Sequence, residues 1–232
     1  MSRKTALIIG ASETFGYFTA KDLLQNGFRV TINARNKEKL SKIKNELESK
    51  GEIDYIAGDV SAESTIKSIR DHYNDSGIDA LIMGLGGYAS DSIRDPTNIN
   101  AMFEDNVILP FNTLSKLLDL MANPSSVVFM SSVYSSLMVS ENSFSYSGSK
   151  AALNRMVASA AKSLLKNRIR INAVITTSME EKPHSETDVH FNPGKQSIDP
   201  DLVAMAVVFL AGERSMGITG SVITVDQGFS LR

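Results

Sequence analysis

The sequence predicts an α/β protein built on a doubly wound, seven-stranded parallel sheet with helices on both faces. Two observations carry this. Short apolar runs ended by glycine or polar residues recur along the chain, as strands buried on both faces do, and segments with helical apolar spacing separate them. The run "TALIIG" at Thr5 to Gly10 is the first strand. Phe15, Phe18, Leu23 and Leu24 then fall at roughly helical spacing, and Asn26-Gly27 ends that helix. "FRVTINA" is the second strand, followed by "NKEKLSKIKNELESKG", whose Leu40, Ile43 and Leu47 share one helical face ahead of Gly51. Further strands are expected over 53–57, 80–84, 126–130, 169–175 and 222–225, with helices over 62–73, 98–121, 144–165 and 199–210. Seven strands alternating with six helices define the sheet.

Composition narrows the function. The chain has 232 residues, 42% of them hydrophobic, enough for one large core, so residues 1–232 are expected to form a single dinucleotide-binding and catalytic domain. A formal net charge of -2 supplies no basic field for nucleic acid or anionic membrane, and a small-molecule partner fits better. No cysteine is present, which excludes disulfides, thiolate metal sites and a cysteine nucleophile and agrees with a cytoplasmic location. The N-terminal apolar run reads as a strand, not a signal peptide, and no run approaches the ~20 apolar residues of a membrane span. One long connection, "TTSMEEKPHSETDVHFNPGKQS" at 176–197, is expected to be a substrate lid. Its His184 and His190 lack the carboxylate spacing of a metal site, so no metal is expected, and a histidine there is read as solvated.

Three stretches carry chemistry. "GASETFG" (residues 10–16) stands where the first strand-to-helix turn of such a sheet offers backbone N–H groups and a positive helix end to a phosphate. A hydroxyl at Ser12 or Thr14 can also serve simply as a helix cap. "SYSGSKAAL" sets Tyr146 and Lys150 four residues apart on one helical face, where an ammonium can draw a phenol toward a working pKa. "VVFMSSVYSS" ends an apolar strand in Ser131 and Ser132, placing a hydroxyl where a substrate carbonyl could be held.

Taken in order, these motifs resemble the short-chain dehydrogenase/reductase family, in its branch with a Ser-Tyr-Lys-Asn site on a single Rossmann domain. The resemblance runs from about Lys4 to Leu231 and includes "GDV" at 58–60, "EDNVILPF", "IRINAV" and "GITGSVITVDQG". It implies an NAD(P)-dependent oxidoreductase interconverting a ketone or aldehyde and an alcohol. Catalytic roles then fall on Ser132, Tyr146, Lys150 and Asn106. Cofactor contacts fall on Gly10, Ser12, Glu13, Thr14, Phe15, Gly16, Arg35, Asp59, Val60, Gly84 and Gly86, together with Tyr146 and Lys150. In the family the tyrosine exchanges a proton with the substrate oxygen, the serine orients that oxygen, the lysine lowers the tyrosine pKa and holds the nicotinamide ribose, and the asparagine positions a water. Homotetramers are common, paired through the helices of Asn106 and Tyr146.

Four motifs depart from the family. Thr14 replaces a turn glycine, Met83, Gly84 and Leu85 replace Asn-Asn-Ala, Thr176-Thr177 replaces Pro-Gly, and Gln227 replaces a glycine near the end. These are mostly cofactor-contacting or sheet-stabilising positions, so the alternative is a catalytically impaired member acting as a nucleotide-binding or regulatory protein. Enoyl reductases of the family space tyrosine and lysine more widely, so the four-residue spacing favours a ketone or alcohol substrate. At the end of the second strand the acid that selects NAD is replaced by Ala34, and Arg35 follows, which favours NADP(H) while leaving NAD(H) open. Glu13 acts against this, by repelling a 2′-phosphate or pairing with Arg35.

Overall fold

The computed structural model describes residues 3–232. Its strands are β1 (Thr5–Ile9), β2 (Arg29–Ala34), β3 (Ile53–Ala57), β4 (Ile78–Met83), β5 (Met121–Ser132), β6 (Ile169–Thr176) and β7 (Val222–Val225). They form one sheet in the order β3-β2-β1-β4-β5-β6-β7, and every pairing is parallel. The order reverses between β1 and β4, which opens a crevice at the carboxyl ends of those two strands. The helices are α1 (Phe15–Gln25), α2 (Lys37–Leu47), α3 (Glu63–Tyr73), α4 (Ile99–Phe103), α5 (Leu109–Leu117), α6 (Phe144–Leu164) and α7 (Pro200–Ala211).

The period-two alternation of β1 divides the core. Ala6 and Ile8 pack with α1, α2 and α7, while Leu7 and Ile9 pack with α3, α5 and α6. Two helices start on side-chain caps. Asn36 Oδ1 accepts the Lys39 N–H at 2.9 Å to cap α2, and Asp199 accepts the Asp201 N–H at 2.9 Å ahead of Pro200 to cap α7.

Two elements differ from expectation. The helix expected over 98–121 is broken into α4, a π-turn at Glu104–Ile108, and α5, because Pro110 has no N–H to give the carbonyl four residues back. Leu109 N–H reaches instead to the Glu104 carbonyl, five residues back. Strand β5 is also longer than the apolar run 126–130, starting at Met121 beside Ile78. No helix among the described residues is long and apolar enough to cross a membrane.

Candidate active site

At the switch point two backbones touch. Gly10 ends β1 with φ +80°, and a β-carbon there would lie 2.7 Å from the Gly84 carbonyl carbon. Gly84 in turn has no room for a side chain, since its β-carbon would meet the Phe15 ring at 2.7 Å. The departure at Gly84 is therefore matched by a large ring at Phe15. Gly16 lets α1 close on the turn, as its β-carbon would lie 2.6 Å from Ala11 Cα.

Within this turn Ser12 Oγ accepts the Phe15 N–H at 3.0 Å, whereas Thr14 makes no side-chain cap. The Glu13 carboxylate turns toward α2 and pairs with Lys39 at 2.8 Å and Lys42 at 3.1 Å, not with Arg35. These partners, Lys39 first, hold it below the ordinary carboxylate range. Arg35 is exposed and makes no ion pair within 4.0 Å among the described residues. Near it, Asp59 Oδ1 accepts the Ser61 N–H at 2.9 Å, and Val60 is buried. Asn36 caps α2 through its amide oxygen, which leaves its amide N–H groups without a partner among the described residues.

Two adjoining hollows line the crevice. One, about 330 Å³, runs from Gly10 and Gly84 past Arg35, Asp59 and Val60. The other, about 530 Å³, holds Ser12, Phe15, Ser132, Tyr146, Lys150 and the start of the lid at Thr176 to Met179. They share Gly10, Gly84, Leu85 and Gly86, so they form one continuous cleft. Thr14 and Gly16 shape the turn without lining either hollow, and Glu13 lines a separate depression beside His184.

The chemical groups meet in the second hollow. Ser132 closes β5, and its Oγ accepts the Tyr134 N–H at 3.3 Å. Tyr146 is half-buried on α6, with Tyr88 set edge-on at 5.1 Å between ring centroids. Burial raises its pKa, the nearby Ser132 hydroxyl opposes that, and Tyr88 and Tyr134 add to the rise, so the phenol is protonated at neutral pH. Lys150 is buried and gives its ammonium to the Met130 carbonyl at 3.1 Å. Desolvation brings its pKa down to about 8. The expected lowering of the tyrosine pKa by the ammonium is not found: burial dominates Tyr146, and Lys150 is not among its influences.

Asn106 lies fully buried on the π-turn rather than on the cleft wall. Its Oδ1 accepts the Gly87 N–H, and its Nδ2 donates to the Gly87 carbonyl and to Ser149 Oγ, each at 3.1 Å. It thus ties the segment after β4 to α6. Gly86 threads between these groups, where a β-carbon would lie 2.7 Å from Asn106 Oδ1 and 2.9 Å from Lys150 Nζ. Asp91, which sequence reasoning missed, fixes the start of α6 by accepting the Ser145 N–H at 2.9 Å and the Ser145 hydroxyl. No local pattern could reveal a cap that comes from 54 residues away.

The connection over 176–197, expected to be a lid, is held by short pairings. Met179 bridges Ile198, and Lys182 is buried between Asp199 at 2.9 Å and Asp201 at 2.7 Å. His184, expected to be solvated, instead stacks on Tyr17 at 3.5 Å, with Nε2 at 2.8 Å from the Glu13 carbonyl and Nδ1 at 2.5 Å from Glu46. Glu13 and Glu46 thus anchor the ring from two sides. Among the described residues no cluster of His, Cys, Asp or Glu is arranged to hold a metal.

Comparison with known proteins agrees with this architecture. A family model described as enoyl-(acyl carrier protein) reductase matches residues 10–230. The chain is 27% identical to a rhamnolipids biosynthesis 3-oxoacyl-[acyl-carrier-protein] reductase from Pseudomonas aeruginosa, covering 100% of this chain and 98% of that protein. It is 28% identical to a glucose 1-dehydrogenase from Gluconobacter oxydans, covering 98% and 92% of the two chains. Among solved structures it superposes on the Pseudomonas aeruginosa RhlG/NADP active-site complex with TM-score 0.85 and 26% identity, over 98% of this chain and 96% of the other. With the ordered motifs and the shared fold, these matches show that the chain belongs to the short-chain dehydrogenase/reductase family of oxidoreductases.

Proposed function

We propose that the protein reduces a ketone or aldehyde to an alcohol, and can run the reverse oxidation, with a nicotinamide cofactor in the cleft between β1 and β4. The observation that carries the reading is that Ser132, Tyr146 and Lys150 line the same cleft as Gly10, Gly84 and Gly86. The cleft suits a dinucleotide. A β-carbon at Gly10 or Gly86 would crowd neighbouring groups, and the buried Ser131 Oγ on its wall has no hydrogen-bond partner in the protein. Gly10, Ser12, Phe15 and Gly84 would hold the pyrophosphate region, Asp59 and Val60 the adenine, and Lys150 the ribose beside the nicotinamide. The role of Glu13, Thr14 and Gly16 is then to shape the turn. When bound, the cofactor supplies or accepts the hydride.

Tyr146 acts as the general acid in reduction. Its raised pKa keeps the proton on the phenol at neutral pH, ready for a developing alkoxide. Ser132 donates a hydrogen bond to the same oxygen and sets its orientation, and the Lys150 ammonium adds positive charge beneath the site. Asn106 acts at a distance, holding Gly87 and α6 in register. A carbonyl substrate follows from the Tyr146-Lys150 spacing, and two relatives are named a 3-oxoacyl reductase and a glucose dehydrogenase. Exposed Phe144 and Met156 on α6 and Ile108 beside it supply apolar surface for pairing subunits into a tetramer.

NADP(H) is the preferred cofactor in this reading. Arg35 is free on the cleft wall, and Glu13, the group that could oppose a 2′-phosphate, is neutralised by Lys39 and Lys42. The RhlG neighbour is a complex with NADP. Arg35→Ala is expected to raise the Michaelis constant for NADPH by about tenfold, the loss of one charge-assisted contact, and that for NADH by less than about twofold. Initial-rate kinetics with both cofactors measure this, and equal effects would reject the assignment.

A further inference from the structure

Gln227 stands where the family carries glycine, and its backbone keeps a glycine-like conformation, with φ +47°. A non-glycine residue there is unfavourable unless its side chain earns a compensating contact. Its contacts all reach one place. Oε1 accepts the Asn192 N–H at 3.0 Å, and Nε2 donates to the Ser197 carbonyl at 2.7 Å and the Lys195 carbonyl at 3.3 Å. The Gln227 carbonyl also accepts the Gly194 N–H at 2.6 Å. One residue thus satisfies four backbone groups of the lid between 192 and 197.

The support beneath Gln227 is firm. Buried Asp226 accepts the Gly228 N–H at 3.0 Å and the Ser230 N–H at 2.9 Å, which fixes the turn after β7. The far side of the contact leads to the cleft. Ile198, next to Ser197, donates its N–H to the Ser178 carbonyl at 2.9 Å and accepts the Glu180 N–H at 2.9 Å. Ser178 and Met179 are cleft-lining residues. A continuous hydrogen-bonded path therefore runs from Gln227 through Ser197 and Ile198 to the cleft wall.

We propose that Gln227 is a positioning residue that straps the lid to the end of β7 and thereby holds Ser178 and Met179 in place against the substrate. This rests on the reading of the cleft as the active site. Three of the four bonds depend on the side chain's reach, so they are lost both in Gln227→Gly, which suits the positive φ, and in Gln227→Asn, which tolerates it but is one carbon shorter, leaving only the main-chain bond to Gly194.

Two readouts on the ligand-free, full-length protein and on the working enzyme test the proposal. Trypsin cleavage after Lys195 is expected to be at least about tenfold faster in both variants, with the melting temperature within about 2 °C of the parent, because only the lid opens. The Michaelis constant for the carbonyl substrate is expected to rise about five- to twentyfold, with kcat within about threefold and the NADPH constant within about twofold. Unchanged cleavage in both variants overturns the strap. Faster cleavage with an unchanged carbonyl Michaelis constant overturns the positioning role. Faster cleavage in a protein whose parent form reduces no carbonyl supports the strap and removes the active-site reading instead.

Discussion

Lys150→Met is expected to make the ligand-free protein more stable while ending turnover. The ammonium is almost wholly buried, and its pKa falls from the ordinary 10.5 to about 8 through desolvation. At ~1.4 kcal/mol per unit, that shift represents a cost of about 3 kcal/mol to hold the charge in the folded state at neutral pH. The sign follows from linkage. Above the unfolded value the lysine is neutral in both states and costs nothing. As pH falls toward the folded value the unfolded chain takes up its proton first, and the cost is complete below about 8. Methionine keeps the unbranched stem without the charge, losing the bond to the Met130 carbonyl. A net gain of about 1–3 kcal/mol corresponds to a rise of roughly 3–8 °C in melting temperature, with the parent's stability gain between pH 8 and 10.5 absent from the variant. Carbonyl reduction should fall by about 10² or more. Calorimetry across that pH range checks the first part, and a lower melting temperature would show that the buried charge is not a burden.

The second large effect lies where the 176–197 connection meets α7. Lys182→Met is expected to destabilise the protein by about 3–5 kcal/mol, since removing one partner leaves buried charges uncompensated. The side chain is 4% exposed and neutralises Asp199 and Asp201, themselves covered by the chain. Burial pushes the Asp199 carboxyl up, but Lys182 and the N–H groups of His190 and Asp201 outweigh it and hold it below the usual range. Its stability is therefore present above the ordinary carboxylate pKa and lost as pH falls through the lowered folded value. Lys21, at 2.5 Å, remains on Asp201 alone, so it cannot replace Lys182 at Asp199. A fall of roughly 6–15 °C in melting temperature is expected. A change below about 2 °C would mean that this ion cluster does not support the fold.

The two effects show why the sheet was easier to read than the site. Strands such as Leu7 to Ile9 are buried on both faces, and that leaves a continuous apolar run that names itself. The helix after β4 reads as continuous because its apolar spacing runs through Pro110, where the missing N–H forces the π-turn. In the candidate site, Tyr146, Lys150 and Ser132 stand out in the sequence because each lies in a local motif. Their supports were not, because Asp91 on Ser145, Glu13 on Lys39 and Gln227 on the lid are contacts between residues distant in sequence. The motif departures became intelligible only in space. The Phe15 ring fills the room beside Gly84, and Gln227 trades a glycine's ease for hydrogen bonds to the lid.

In the proposed reaction Tyr146 gives a proton to a carbonyl oxygen as that carbonyl is reduced. Carbonyl-dependent loss of NADPH absorbance, measured over a panel of ketones and aldehydes with the parent protein and with Tyr146→Phe, tests it most directly. Turnover of at least one ketone by the parent is expected, with a loss of about 10²–10⁴ in kcat for Tyr146→Phe and NADPH binding retained in both. A Tyr146→Phe protein that reduced the same ketone at the parent's rate would contradict it.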